Sequence, residues 1–231
     1  AYSGFKLGIP VTVVVPESTK EGMRERIRLF GARLEVYGES WQEAHEHTVQ
    51  LAERPNTYYV DPFDHPTLWR GHATLIEEAA QAMPEPDLVI VAIGGGGLFC
   101  GIMEGLDKVG WTNTRVLCAE TDGAASLYES VQAGQLITLD QITTVATSLG
   151  AKRICEQAWT YAQSPLVSTA IVTDEEAIKA CRAFANEYHA LVEPACGAAL
   201  AMLGETHPFL EAAKRVLVVV CGGSGFGLAN F

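Results

Sequence analysis

The chain has 231 residues, enough for one large domain or for one domain and part of a second. Hydrophobic residues make up 48%, which supplies a sizeable core and excludes a disordered chain. With 28 acidic against 16 basic residues the formal charge is -12, so there is no electrostatic footprint for a phosphate backbone or an anionic membrane, and neither nucleic acid nor membrane is an expected partner.

Six cysteines stand at 100, 118, 155, 181, 196 and 221, with no C-x-x-C pair. Most lie in apolar runs such as Val116-Leu117-Cys118 and read as buried free thiols of a reducing compartment, the cytoplasm. No stretch reaches the roughly 18 apolar residues of a membrane span, and the first residues lack a signal-peptide pattern.

Ala1 to Gly8 has the form of a helix tail stopped by glycine. A domain seldom starts with the last turns of a helix, so a preceding segment is expected. Val11 to Val15 predicts a buried strand stopped by Pro16, and Lys20 to Phe30 a helix closed by Gly31. Arg33 to Tyr37 predicts a second strand. Ser40 and Glu43 form a capping box opening a helix to about Glu53, and Tyr58 to Val60 predicts another strand. Pro62-Phe63-Asp64-His65-Pro66 breaks the rhythm, and a domain boundary is placed there, dividing residues 1–61 from 62–231.

Beyond the boundary a helix is expected from Thr67 to Ala82, a strand over Leu88 to Ile93, and a helix from Leu98 to Lys108. Arg115 to Ala119 predicts a strand, and Glu120 to Ser126 the loop after it. A helix over Ile154 to Ala162 and a strand over Val167 to Val172 follow. Thr173 and Glu176 form a second capping box, opening a helix to Tyr188. Val192 to Gly197 leads into a short helix, Ala198 to Leu203, and Arg215 to Cys221 predicts a final buried strand. Alternating strands and helices predict an α/β fold, a parallel sheet covered by helices.

Two points carry chemistry. Gly94-Gly95-Gly96-Gly97-Leu98 joins a strand to a helix, where glycines let amide groups converge and the helix terminus adds partial positive charge. The spacing is not that of a P-loop, and Phe99 stands where the dinucleotide fingerprint needs its third glycine. A tight packing turn and a phosphate cradle are about equally supported. Val216 to Val220 is apolar on both faces, which predicts a central parallel strand ending at Cys221, where ligands of such sheets gather. A thiol there can face a neutral aromatic nitrogen, though buried cysteine more often only fills space.

Taken in order, Pro62-Phe63-Asp64, Gly71-His72, Gly94 to Leu98, Glu120-Thr121-Asp122-Gly123-Ala124, Val192-Glu193-Pro194-Ala195-Cys196-Gly197-Ala198-Ala199-Leu200 and Val220-Cys221-Gly222-Gly223-Ser224 resemble the animal-type L-serine/threonine dehydratases. These are tryptophan-synthase-β-like, fold type II enzymes using pyridoxal phosphate. The resemblance runs the length of the chain. It implies a large cofactor-binding domain with part of a smaller α/β domain, and deamination of L-serine or L-threonine to 2-oxo acid and ammonia by a cytoplasmic homodimer. It implies that Gly94, Gly95, Gly96, Gly97 and Leu98 hold the cofactor phosphate. Cys221, followed by Gly222, would face the pyridine nitrogen, and Ser148 would lie by one ring face. It implies a potassium ion held by Glu120, Ser126 and the carbonyls of Ala124, Leu149 and Ala151. Without the resemblance, Glu120 reads as an exposed carboxylate at a strand end.

There are departures. His65 and Arg70 stand where relatives often carry acidic residues. The family's cofactor-bearing lysine and its substrate-carboxylate loop belong to segments that the resemblance sets ahead of Ala1. Lys6, Lys20, Lys108, Lys152, Lys179 and Lys214 occupy helical or polar surface contexts, so no catalytic residue is assigned. Alternatives are another fold type II lyase, cysteine-synthase-like or threonine-synthase-like, a nucleotide-binding oxidoreductase, or a non-catalytic pseudoenzyme. The 231-residue chain is expected to release no pyruvate from L-serine, as checked by a lactate-dehydrogenase-coupled assay; sustained release would mean that one of its own lysines serves.

Overall fold

The computed structural model describes residues 1–223. The chain divides into two compact units, Ala1–Val60 and Asp61–Phe231.

In the first unit α1 (Tyr2–Leu7) ends on Gly8, whose φ of 65° is the left-handed cap that glycine allows. β1 (Thr12–Val15) pairs in parallel with β2 (Arg33–Val36) across α2 (Glu21–Leu29). Then α3 (Trp41–Ala52) starts at the expected capping box, Ser40 accepting from the Glu43 amide while the Glu43 carboxylate takes the Ser40 amide. Residues 58–60 form no strand. Tyr58 and Val60 are 87% and 79% exposed, and strand-favouring side chains without a pairing partner do not make a ladder.

The second unit opens with α4 (Pro66–Ala82), capped by His65, whose Nδ1 accepts from the Thr67 amide at 3.1 Å. Arg70 donates to Thr67 Oγ1, so both residues that depart from the family pattern tie down this helix start. There follow β3 (Leu88–Ala92), α5 (Gly97–Val109), β4 (Arg115–Thr121), α6 (Ser126–Ala133), α7 (Glu156–Ala162), β5 (Val167–Val172), α8 (Asp174–Tyr188), α9 (Pro194–Ala201), α10 (Pro208–Glu211) and β6 (Val216–Val218). The strands form a parallel sheet in the order β5-β4-β3-β6. Alternation along β3 feeds two cores. Val89 and Val91 face Trp69, Ile76, Phe99, Ile102 and Leu106, whereas Leu88 and Ile90 face Ala177, Ala195, Ala198 and Ala199. A parallel sheet buried on both faces results, so the fold is α/β.

Three expectations are corrected. β6 is not central: among the described residues it stands at the edge of the sheet, is half-buried, and is three residues long. An apolar run records that its faces are covered, not which strands flank it. Glu120 and Thr121 extend β4 instead of starting a loop, and α6 begins where only loop is expected. The sequence carries no local cap for α6. The Glu120 carboxylate supplies one from the strand, accepting the Leu127 and Tyr128 amides at 2.9 and 2.7 Å. Finally, α9 starts at Pro194, because the fixed φ of proline suits the first helical position.

Gly197 sets the approach of α9 to α8, since an added Cβ would land on the Ala177 carbonyl and beside the Cys181 sulfur. Gly197→Ala is expected to destabilise the chain by about 1–3 kcal/mol, measured by urea denaturation.

Candidate functional site

Because β3, β4 and β6 run in parallel, their carboxyl ends share one edge of the sheet. β3 leads there into Gly94–Gly97, β4 carries Glu120 next to its last residue, and β6 leads towards Cys221. The strand register pairs Leu88 with Val216 and Ile90 with Val218, which sets the glycine loop beside the strand end carrying the thiol.

The loop is shaped by packing. Gly96 sits at φ 94°, and a Cβ on Gly95 would fall on the Phe63 ring. Glycine is therefore demanded by a tight turn under Phe63, as in the plainer of the two sequence readings. The turn also leaves unpaired what a phosphate requires. Among the described residues, no amide from Gly94 to Phe99 donates to another group, and the first three groups of α5 have no intrahelical acceptor. Six unpartnered N–H groups at the positive end of a 13-residue helix therefore suit an oxyanion. The residues fit the phosphate of the cofactor that the motifs imply.

At the neighbouring strand end Cys221 is exposed, unlike the other five cysteines, so the expectation of a buried thiol fails there. The adjoining Cys196 thiol holds Cys221 above the ordinary range, so it rests as a neutral thiol. Cys196 itself donates to the Gly222 carbonyl at 3.3 Å. Ser148, in a short 3₁₀ turn (Thr147–Leu149), joins the same region: a Cβ on Gly94 would lie 3.0 Å from its carbonyl. Its hydroxyl donates to Glu193 Oε1 at 2.7 Å. Glu193 was visible in the sequence only as part of a motif; no spacing marked it as a contact of Ser148. Ser224 lies outside the described residues.

The third strand end holds Glu120, completely buried rather than exposed at the tip of a strand. Burial pushes its carboxyl up to about 8, against the two amides that pull it down. No cation pairs with it among the described residues. Ser126, also buried, has a hydroxyl oxygen with no hydrogen-bond partner there. Ala124 and Leu149 belong to one buried cluster, and the Ala151 amide turns back onto the Leu149 carbonyl at 2.8 Å. An orphaned hydroxyl and an unpaired carboxylate are oxygen donors of the type a hard cation takes. No group of three His, Cys, Asp or Glu that could hold a metal occurs among the described residues.

The lysines of the second unit are engaged elsewhere or unlinked to these points. Lys108 pairs with Glu77 and Lys152 donates to the Asp140 carbonyl. Among the described residues of the second unit no lysine contacts the glycine loop, Ser148 or Cys221.

An α/β sheet whose strand ends gather a glycine turn of unpartnered amides and a neutral thiol has the form of a cofactor-binding enzyme fold. A family described as "Pyridoxal-phosphate dependent enzyme" matches residues 1–222, and the chain belongs to that family. It is 41% identical to "Serine dehydratase-like" of Rattus norvegicus over 236 residues, spanning 97% of this chain and 71% of that protein. Against "L-serine dehydratase/L-threonine deaminase" of Homo sapiens the identity is 40% over 241 residues, spanning 100% of this chain and 73% of the other. A crystal structure of a fungal L-serine ammonia-lyase from Rhizomucor miehei superposes with a TM-score of 0.90 at 34% identity, covering 99% of this chain and 74% of that one.

Native alkylation checks the arrangement of thiols. Because Cys221 alone of the six is exposed, iodoacetamide is expected to modify it before the five buried cysteines at a pH high enough to ionise it, as read by peptide mass mapping.

Proposed function

We propose that this chain provides the phosphate cradle, ring partner and cation cage of a serine/threonine dehydratase, an enzyme that deaminates L-serine or L-threonine to 2-oxo acid and ammonia. One observation carries the reading: a set of unpartnered amides at the start of α5 beside the strand end bearing Cys221. Similarity to proteins named for L-serine dehydration and L-threonine deamination supports the substrate class. When bound, pyridoxal phosphate supplies an electron sink for negative charge at the substrate α-carbon.

The chain's own residues then have distinct tasks. The amides of Gly94, Gly95, Gly96, Gly97 and Leu98 bind the phosphate dianion and fix it at the helix terminus. Cys221, backed by Gly222, would hold the ring nitrogen as a neutral thiol and lend it no full negative charge, which would favour loss of the β-hydroxyl over transamination or racemisation. Ser148 would lie by one ring face. Glu120, Ser126 and the carbonyls of Ala124, Leu149 and Ala151 hold a potassium ion, which neutralises the buried carboxylate next to the site. Proton removal from the α-carbon is assigned to none of the chain's lysines.

Residues 1–61 are assigned to the smaller α/β domain and residues 62–231 to the cofactor domain, a division one residue from that between the two compact units. Free cysteines support residence in the cytoplasm, and the resemblance supports a homodimer.

Titration followed by tryptophan fluorescence tests the cradle. Pyridoxal phosphate should bind the chain at least ~10-fold more tightly than pyridoxal, and Gly96→Ala should remove most of that difference. Equal affinity for the two would overturn the reading. Potassium should raise the melting midpoint of the wild type by about 3 °C relative to a bulky organic cation, and Ser126→Ala should abolish the rise, as read by differential scanning calorimetry.

A further inference from the structure

One side chain ties the candidate site together without belonging to its loop or its thiol. Glu193 is the residue preceding α9, the position whose side chain ordinarily accepts an amide of the first turn, yet it makes no such cap. It has no ion-pair partner among the described residues. Its carboxylate turns instead to Ser148, accepting the hydroxyl at 2.7 Å. Its amide donates to the Gly222 carbonyl at 2.9 Å. Gly223, at φ 135°, has no Cβ, and one built there would lie 2.5 Å from Glu193 Oε2, so the bare strand end is what lets the carboxylate lie against it. Its carbonyl accepts from Cys181 Sγ at 3.3 Å and from the amides of Cys196 and Gly197.

The result is a continuous chain of contacts. Gly94 abuts the Ser148 carbonyl, Ser148 binds Glu193, and Glu193 binds the backbone that follows Cys221. A half-buried carboxylate that neither caps its helix nor pairs with a cation gains its favourable contacts here from Ser148. A carboxylate acceptor makes that bond a charge-assisted one, about twice as strong as a neutral hydrogen bond.

We propose that Glu193 is a positioning residue: through Ser148 on one side and Gly222 on the other, it holds the wall that carries Cys221, and thereby sets how tightly the ring of the cofactor is gripped. The identity of the ligand rests on the function proposed above; the wall itself does not.

Two measurements on the 231-residue chain separate the two ideas. The first is the rate of iodoacetamide modification of Cys221 without cofactor. The second is the affinity for pyridoxal phosphate by fluorescence. Glu193→Ala should speed modification and weaken affinity, each by about tenfold, the scale of one charge-assisted hydrogen bond. Glu193→Gln retains an acceptor for Ser148 and should stay within about threefold of wild type in both. Ser148→Ala breaks the same bond from the exposed partner and carries the test if Glu193→Ala does not fold. Combining Ser148→Ala with Glu193→Ala should add nothing to the larger single effect.

Wild-type modification rate and affinity in both alanine variants would sink the proposal, as would fully additive losses in the double variant. If Cys221 responds as expected while the wild type ignores pyridoxal phosphate, the wall stands and the cofactor reading falls. If the cofactor binds and Gly96→Ala weakens it, but Glu193→Ala changes neither quantity, the positioning role falls alone.

Discussion

The parallel register of β3 with its neighbours is the constraint on which the candidate site depends. Pairing Leu88 with Arg115 on one side and with Val216 on the other brings three strand ends to a single edge. Backbone that leaves a parallel strand there has amides and carbonyls no longer used by the ladder. In this chain one strand end supplies amides, the second buried oxygen atoms, and the third a thiol. Register by an odd number of residues would exchange Val89 and Val91 for Leu88 and Ile90 against α4 and α5 and disrupt both cores. The energy that fixes the site is thus the burial of apolar side chains remote from it.

Within that frame, polar groups are handled in two ways. Helix starts at Ser40 and Thr173 are satisfied locally by capping boxes. The starts of α5 and α6 are not. Among the described residues the first amides of α5 have no acceptor, while those of α6 are taken by Glu120 from a preceding strand. Open amides at one helix and a buried carboxylate at the next give adjoining attraction for an anion and for a cation. Both the phosphate and the potassium proposals draw on this asymmetry.

Glycine has two meanings in the same loop. Gly95 is small because Phe63 lies over it, and Gly96 because its backbone is left-handed. The packing turn and the proposed phosphate cradle, opposed when the residues are read alone, are compatible in one loop: the same close packing leaves its amides without partners among the described residues. Glu193 offers the converse case. Its place before α9 suggests a helix cap, whereas its carboxylate is committed to Ser148 across the strand ends.

Much of this was written locally in the chain. Capping boxes, left-handed glycines and alternating apolar runs depend on neighbours a few residues away, so the α/β order, both boxes and the glycine turn were legible in the residues. The ordered motifs were enough to indicate the cofactor family. Other features depend on partners distant in sequence, and only tertiary structure decided them. The apolar run at Val216 did not reveal an edge position, Tyr58 and Val60 did not find a strand to pair with, and α6 formed on a carboxylate from β4. Burial of Glu120, exposure of Cys221 and the bond from Ser148 to Glu193 likewise required the packed sheet, because solvent access and hydrogen-bond choice are set by whichever segments folding brings together.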